Sequence, residues 1–316
     1  MKFLENKKNV RLICNVLIIL LSLMFFFTLI TNYNNINRKQ IYGNSIYDEA
    51  TKNAILNNKN VLNNEVSEDK KEKPIFANAR EAITKSYSDF LALDSYTVTQ
   101  EGHTVTSTSI GDWNVVSKLT AGKWNDGKAY SCLEAYQLSG NKTFFNKTDS
   151  VQAYTFNNMR YERSTKNVSY KDNQFTSIFK DPFKLENEYD DIRPISYEFT
   201  DKTITNIRSY KVCYDNSTGK ITEYDVSFSI SSEGAKKFAE AVHKGAEGKI
   251  SAMPRFKQLN FAFKIDNKGM LKNIKVDEVY EIKVPVLGWS PITDDFLFTI
   301  YDQNKTPNIT IPEINV

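Results

Sequence analysis

The chain has 316 residues, with 41 Lys and Arg against 38 Asp and Glu, and a formal net charge of +3. Its basic side chains are scattered along the chain, which excludes the clustered basic stripe that nucleic-acid-binding proteins use to follow phosphates. We therefore expect no nucleic-acid partner. The length leaves room for one or two domains besides any membrane segment. The abundance of Asn and Lys is typical of an AT-rich genome, and we interpret the chain as bacterial.

The first predicted element is an uncharged hydrophobic run over 12–31, LICNVLIILLSLMFFFTLIT. About 20 apolar residues are enough to cross a ~30 Å hydrocarbon core as a helix. The nearby basic residues are Lys2, Lys7, Lys8 and Arg11 before the run and Arg38 and Lys39 after it. Because positive charge favours the cytoplasmic side, we expect a cytoplasmic N-terminus and an extracytoplasmic C-terminal part.

A cleaved secretory signal peptide is the alternative interpretation of this run. A signal peptide has a shorter apolar core and a small-residue cleavage site. The run here is long and ends in TNYN, without an A-x-A pattern. We therefore predict an uncleaved signal-anchor in the cell membrane, with a cytoplasmic tail at 1–11.

The segment 32–75 is rich in Asn, Lys and Glu and poor in aromatic residues. Such a composition cannot bury enough apolar surface to offset the entropy of ordering the chain. We predict a flexible stalk, followed by an extracytoplasmic domain over 76–316.

The first part of that domain shows one helical pattern and then strand patterns. Apolar residues recur at helical spacing over 76–93, which predicts an amphipathic helix. Strands are predicted over 96–102 and 103–109, with Glu101 and Gly102 as a turn. Further strands are expected over 113–120, 128–138, 151–156 and 159–163, the last two joined by a tight turn at 157–158.

The second half of the domain shows clearer alternation. Strands are predicted over 207–214 and 221–230, with a turn at 215–219 between them. Ser231 or Ser232 then caps a helix that ends at Gly245. Strands follow over 259–265 and 271–276, with a turn at 266–269 between them, then around 280–286, and over 295–301. This order of elements predicts one α+β domain built on a large curved antiparallel sheet, a half-barrel with packed helices.

The chain offers little catalytic chemistry. His103 and His243 have no Cys or His at metal-ligand spacing, and no nucleophile elbow, zinc-protease or phosphate-loop motif occurs. The acidic residues over 186–191 lack the spacing and the Gly of a calcium loop, so a solvated loop is the simpler interpretation. We expect no catalytic residue, no metal site and no cofactor, and we do not expect an enzyme.

The aromatic and branched residues on alternating strand positions suggest a binding surface. On a curved sheet they would line an apolar ligand site. The alternative is that they fill an ordinary core beneath the two helices. The candidate lining residues are Tyr96, Val98, Trp113, Val115, Tyr210, Val212, Tyr224, Val226, Phe228, Phe261 and Phe263.

Two cysteines, Cys132 and Cys213, lie outside the hydrophobic run. An oxidising exterior allows a disulfide between them. Two buried, unpaired thiols are the alternative, since the geometry of a bridge is not visible in a sequence.

The arrangement over 76–313 resembles the lipoprotein-carrier fold of LolA and of the mycobacterial LppX-type proteins. The similarity lies in the helix before YTVT at 96–99, in SFSISSEGAKKF at 227–238 where a strand passes into a helix, in FKIDNKG at 263–269, and in the closing NITIPE at 308–313. The resemblance implies a half-barrel capped by helices, with an apolar cavity that carries lipid. This chain differs from those proteins because it has no lipidated Cys and keeps a hydrophobic anchor.

Two functions follow as expectations. The first is a non-catalytic, membrane-tethered extracytoplasmic module that binds a lipid or another apolar envelope ligand. The alternative is a scaffold or interaction component of a cell-envelope secretion or conjugation assembly, which the anchor–stalk–domain layout also suits. Domains of that second kind have a cone-shaped sheet wrapped on a long helix. The partners expected are therefore the membrane and either an apolar ligand or an envelope protein.

Overall fold

The computed structural model describes residues 71–108, 111–124, 129–140, 147–156, 159–186, 195–246, 250–285 and 287–306. All of them belong to one compact unit, Asn64–Val316. The predicted tail and anchor and almost all of the predicted stalk lie outside these residues. Among the helices that the structure describes, none is long and apolar enough to cross a membrane.

The first helix, α1, spans Ala79–Leu91, inside the predicted range. It begins at Asn78, whose side chain accepts a hydrogen bond from the backbone N–H of Glu81 at 3.0 Å. The Glu81 carboxylate in turn accepts from the backbone N–H of Ala77 at 2.7 Å. These reciprocal bonds satisfy donors that a helix start leaves unpaired. The second helix, α2, spans Lys236–Gly245 and follows a 3-10 turn, Ser232–Ala235.

Strands make up most of the described chain. Their bounds are β1 Tyr96–Thr108, β2 Gly111–Trp124, β3 Ala129–Gly140, β4 Lys147–Phe156, β5 Met159–Thr165, β6 Val168–Lys171, β7 Gln174–Ser177, β8 Lys184–Glu186, β9 Ile204–Tyr214, β10 Ile221–Ile230, β11 Arg255–Asp266, β12 Leu271–Val284 and β13 Gly288–Tyr301. The predicted large antiparallel sheet with few helices is confirmed.

Eleven strands form a single sheet in the order β8-β5-β4-β3-β2-β1-β13-β12-β11-β10-β9, and β6 pairs with β7 in a separate hairpin. Every neighbouring pair is antiparallel, and most neighbours are consecutive in the chain. The exception in the centre is β1, which pairs along ten residues with the last strand, β13. The pairing of β1 with β13 therefore joins the two halves of the sheet and brings the start of the domain next to its end.

Two of the hairpins predicted from turn residues, at 215–219 and 266–269, are present, whereas the turn predicted at 157–158 lies outside the described residues. Asp215 accepts hydrogen bonds from the backbone N–H groups of Ser217 and Thr218 at 3.0 and 2.8 Å, which folds the turn between β9 and β10. Asp266 does the same for Lys268 and Met270 between β11 and β12, at 2.9 and 2.8 Å. A carboxylate that bonds to backbone N–H groups two to four residues ahead stabilises such turns.

The prediction of a turn at Glu101 and Gly102 was wrong, because β1 runs through both residues without a break. Gly102 lies opposite Phe296 in the sheet register. A Cβ atom at Gly102 would lie 2.0 Å from Cδ1 of Phe296, so the glycine makes room for the ring. A glycine inside a strand often marks such a close approach.

Two further predictions of strand bounds were wrong. The strands expected over 271–276 and 280–286 are one strand, β12, and the last strand begins at Gly288 rather than at 295. The predicted side-chain cap of α2 was also not found at Ser231, which makes no capping hydrogen bond.

The main core lies between one face of the sheet and a covering layer. This layer consists of α1, the extended segment 195–200 and the chain from the 3-10 turn into α2. Tyr87 of α1 donates a hydrogen bond to the backbone carbonyl of Tyr197 at 2.9 Å, which ties the helix to the segment. Phe199 of that segment packs edge-on against Tyr87, Phe228 and Phe263 with ring centroids 4.7–5.5 Å apart. Edge-to-face ring pairs at this spacing add to the stabilisation from burial.

Candidate functional site

The sheet has two faces, and the candidate site lies on the one that carries the core. We call this the inner face and define it by Tyr96 and Val98 of β1, which are 3% and 0% exposed beneath α1. Because side chains alternate along a strand, the register shows which other residues share this face. One row across the sheet reads Glu278, Asp294, Thr104, Val115 and Leu138, from β12 to β3.

The predicted lining residues separate into two groups on this face. One group belongs to the packed core, with seven buried residues: Tyr96, Val98, Tyr224, Val226, Phe228, Phe261 and Phe263. Tyr210 and Val212 are partly buried and pack against the same core. These nine side chains fill the space beneath the covering layer, as the alternative interpretation expected.

Trp113 and Val115 have different surroundings. Both lie on β2 outside the packed core and are partly exposed. The register places Leu119 on the same face of the same strand, Leu138 on β3 and Val151 on β4, all partly exposed. We call these five residues the apolar strip. Phe296 of β13, which packs against the core, lies between the core and this strip.

Polar side chains on β3 and β4 lie among the residues of the apolar strip. Tyr136 donates a hydrogen bond to the Asp149 carboxylate at 3.0 Å, and Lys147 donates to the Tyr136 hydroxyl at 3.1 Å. Lys147 also forms an ion pair with Asp149. Burial raises the pKa of the Tyr136 hydroxyl, and hydrogen bonds to Asp149 and Tyr136 raise the pKa of the Lys147 ammonium. In the register, Tyr136 and Asp149 lie between two rows of the strip, the row of Val115 and Leu138 and the row of Leu119 and Val151.

Glu134 of β3 lies on the same face, between two residues of the apolar strip. It pairs with Leu119 and Val151 across the strands. Its side chain is partly exposed, yet desolvation raises the pKa of its carboxyl group, an effect that Arg160 opposes and Glu162 adds to. A carboxyl group is desolvated in this way where protein surrounds it on several sides.

A buried pair of carboxyl groups lies at the other end of the same row. Glu278 and Asp294 are directly paired on β12 and β13, and they are 0% and 2% exposed. Tyr197 of the covering layer donates a hydrogen bond to Glu278 Oε2 at 2.9 Å. Glu278 Oε1 and Asp294 Oδ1 are buried without a hydrogen-bond partner when both groups are treated as carboxylates. Desolvation is the largest cause that raises the pKa of both carboxyl groups. For Glu278, repulsion from Asp294 raises the pKa further.

The structure also brings together Cys213, Glu223 and Asp225 on the opposite, outer face, with ligand atoms within 4.8 Å of one another. Lys264 already pairs with Glu223 and Asp225 at 3.3 and 3.6 Å. Burial and the Asp225 charge raise the pKa of the Cys213 thiol, which disfavours the thiolate that a metal needs. The arrangement supports an ion-paired surface cluster more than a metal centre.

The possible disulfide between Cys132 and Cys213 is not formed in this structure. Cys213 of β9 is a free cysteine. Cys132 lies on β3, and six strands of the sheet separate β3 from β9.

Comparison of the chain with protein-family models found no match, and comparison with curated protein sequences found none. The resemblance to lipoprotein carriers therefore rests on the pattern of elements alone.

Proposed function

We propose that the chain is a non-catalytic, membrane-tethered module that binds a lipid or another apolar ligand on the outer side of a cell membrane. The apolar strip of β2, β3 and β4 is the observation that carries this proposal. It presents partly exposed Trp, Val and Leu side chains on one face, in continuity with the core. Exposed apolar surface with a few polar groups set among it is typical of ligand grooves and interaction sites.

The shape needed for such a groove is a curved sheet. Neighbouring strands rotate by roughly 20–25° relative to one another, and this twist accumulates in a large sheet. An open sheet of eleven strands is at the size where twisted sheets begin to curl. A half-barrel similar to that of LolA would turn the inner face into a trough, with the covering layer filling one end and the apolar strip lining the other.

The polar group within the apolar strip favours an amphiphilic ligand. Tyr136, Lys147 and Asp149 form one hydrogen-bonded group beside Val115 and Leu138. An acyl chain on Val115 and Leu138 would bring its polar head towards this group. Sites for apolar ligands usually combine an apolar lining with a few polar groups that set the orientation.

Membrane tethering rests on the hydrophobic run at 12–31, which is long enough to act as an uncleaved anchor. A tethered domain works where it is anchored, so we propose local binding of the ligand rather than long-range transport.

The scaffold alternative expects a long helix wrapped by a cone-shaped sheet. The longest helix in the described part of the chain is α1, with 13 residues. At 1.5 Å per residue such a helix is about 20 Å long and covers only part of the sheet. This geometry supports the binding module over the scaffold.

Photo-crosslinking with a lipid probe tests the proposal on the full chain. The protein would be reconstituted in vesicles that contain a photoreactive fatty-acyl lipid, and crosslinked peptides would be mapped by mass spectrometry. We expect crosslinks in 111–124 and 129–140, in addition to any in 12–31. Crosslinks confined to 12–31 would contradict the proposal, because they would report the anchor alone.

A further inference from the structure

The carboxyl pair of Glu278 and Asp294 takes no part in the proposed ligand site, and its position is unusual for two acidic groups. Their strands are neighbours, and the two residues are directly opposite in the register. Both side chains are enclosed by protein, with 0% and 2% exposure. Removing a single unpaired carboxylate from water is costly, and two adjacent carboxylates add mutual repulsion.

The groups that face the pair supply hydrogen bonds but almost no positive charge. Tyr197 reaches Glu278 from the covering layer, and Thr104 of β1 and Tyr280 of β12 lie close to Asp294. On the remaining sides, Leu259 of β11 lies opposite Glu278, and Phe238 of α2 packs on Tyr197 and Tyr280.

The charged groups near the pair are on the other face of the sheet. Asp277 adds a further negative charge, and a positive charge on His103 favours ionisation of Asp294. None of the largest influences on the pair within the described residues comes from a Lys or an Arg. Neutralisation must therefore come from a proton.

The unpartnered oxygens show where that proton acts. Glu278 Oε1 and Asp294 Oδ1 are both buried acceptors without a donor. The two carboxyl groups are within hydrogen-bonding reach of each other. One proton on either group makes a carboxyl–carboxylate hydrogen bond, which satisfies both groups and removes one charge from the interior.

We propose that Glu278 and Asp294 share one proton at neutral pH, and that losing this proton at higher pH loosens the layer that covers them. A second charge at this place has to be hydrated. Tyr197 and Phe238 close the side of the covering layer, so water that enters from there requires the segment 195–200 and α2 to lift from the sheet. The pair is thus a pH-sensitive device in the fold, independent of whether the apolar strip binds a ligand.

The direction of the pH effect follows from proton linkage. Unfolded Asp and Glu have pKa values of about 3.9 and 4.3, and the folded pair holds its proton above that range. Between the unfolded and the folded pKa, the native state binds one more proton than the unfolded state. The contribution of this pair to stability is therefore greatest below pH 4. Above pH 4 the unfolding equilibrium constant rises up to tenfold per pH unit, until the pH reaches the folded pKa and the pair ionises.

The test compares the full chain with Glu278→Gln and Asp294→Asn, which keep the size of the side chains but cannot ionise. Unfolding by urea would be followed through tryptophan fluorescence from pH 5 to 8. We expect the unfolding constant of the wild type to rise with pH relative to that of either variant. Asp295→Asn is the matched control, because Asp295 follows Asp294 on β13 but is partly exposed and pairs with Lys275 at 3.6 Å. It should follow the wild type.

Two further measurements keep the proposal testable if a variant does not fold. Difference infrared spectroscopy of the wild type should show the C=O stretch of a protonated carboxyl at pH 7. Hydrogen exchange over 195–200, corrected for the intrinsic pH dependence of exchange, should accelerate with rising pH. No protonated carboxyl at pH 7, or parallel pH profiles for wild type and the two variants, would overturn the proposal.

Discussion

Gly102 shows how one residue can be misread when its partner is far away in the chain. Gly after a charged residue, between two runs of Thr and Val, is typical of a turn. The structure instead places it inside β1, where the Phe296 ring occupies the space of a side chain. The ring covers a position that would otherwise leave the strand poorly packed, as aromatic residues do when they lie across from a strand glycine.

Gly102→Ala should therefore destabilise the protein, although alanine normally suits a strand better than glycine. The new Cβ would lie 2.0 Å from the Phe296 ring, so the ring or the strand has to move. Overpacking of this kind costs about 1–3 kcal/mol. The measurement is the free energy of unfolding in urea.

Gly122→Ala is the matched control for this prediction. Gly122 lies on the adjacent strand β2, and a Cβ there would approach Ser131 Oγ at 3.3 Å, a much milder contact. Its cost should be clearly smaller. Equal effects of the two substitutions would show that the ring contact does not account for the glycine.

The alternation of residues along β12 and β13 also indicated that both residues of the carboxyl pair lie on the buried face of the sheet. Glu278 has the same parity as the buried Val276 and Tyr280, and Asp294 the same as Ile292 and Phe296. An acidic residue at a position that alternation assigns to the core is a signal that sequence reasoning had available. That the two residues face each other follows only from the β12–β13 register, which no local pattern gives.

At the scale of elements, α1 depends on its first turn. Asn78→Ala removes the side chain that accepts from the Glu81 N–H. Loss of such a cap costs about 1 kcal/mol, within a range of 0.5–2. Ser88→Ala is the control, since Ser88 is an exposed residue of the same helix. If the unfolding free energies of the two variants agree, the cap does not hold the helix start.

The turn between β9 and β10 gives a pH-dependent prediction. Hydrogen bonds from Ser217 and Thr218 lower the pKa of Asp215 to about 2. Because the folded value lies below the unfolded value of about 3.9, this turn stabilises the fold above pH 4 and loses its effect as the pH falls towards 2.

The melting temperatures of wild type and Asp215→Ala, compared from pH 5 down to 2, check this expectation. The wild type should be more stable at pH 5, and the gap should narrow as the pH falls through 4 to 2. A gap that stays constant over this range would show that the carboxylate form of Asp215 is not what stabilises the turn.

The two helices and the hairpins at 215–219 and 266–269 could be predicted because their causes are local. The turn residues and the alternation around them are enough to place β9, β10, β11 and the start of β12. The segment 195–200 was missed, although Ile195, Tyr197 and Phe199 alternate with polar residues as a strand would. They are buried at 1–4% exposure, yet they lie across the core rather than in the sheet.

For the whole molecule, the central arrangement depends on contacts between the two ends of the domain. The pairing of β1 with β13 joins residues about 200 positions apart, and neither strand carries a mark that identifies its partner. The same pairing decides which candidate lining residues are covered. Those near β10 and β11 lie beneath α1 and 195–200, whereas Trp113 and Val115 lie on β2 beyond the core.

The proposed ligand site predicts that the two faces of β2 differ in function. Val115 and Val116 are adjacent, partly exposed and of equal size, and they lie on opposite faces. Val115→Glu places a charge in the apolar strip, where an acyl chain would have to bury it. Val116→Glu adds the same charge to the outer face and is the control for net charge and strand propensity.

The decisive measurement is the yield of photo-crosslinks from the fatty-acyl lipid to 111–124 and 129–140 in the full-length wild type and in these two variants. We predict that Val115→Glu lowers the yield at least tenfold, that Val116→Glu retains it, and that crosslinks to 12–31 are the same in all three proteins. Equal yields from Val115→Glu and Val116→Glu would contradict a ligand site on the inner face.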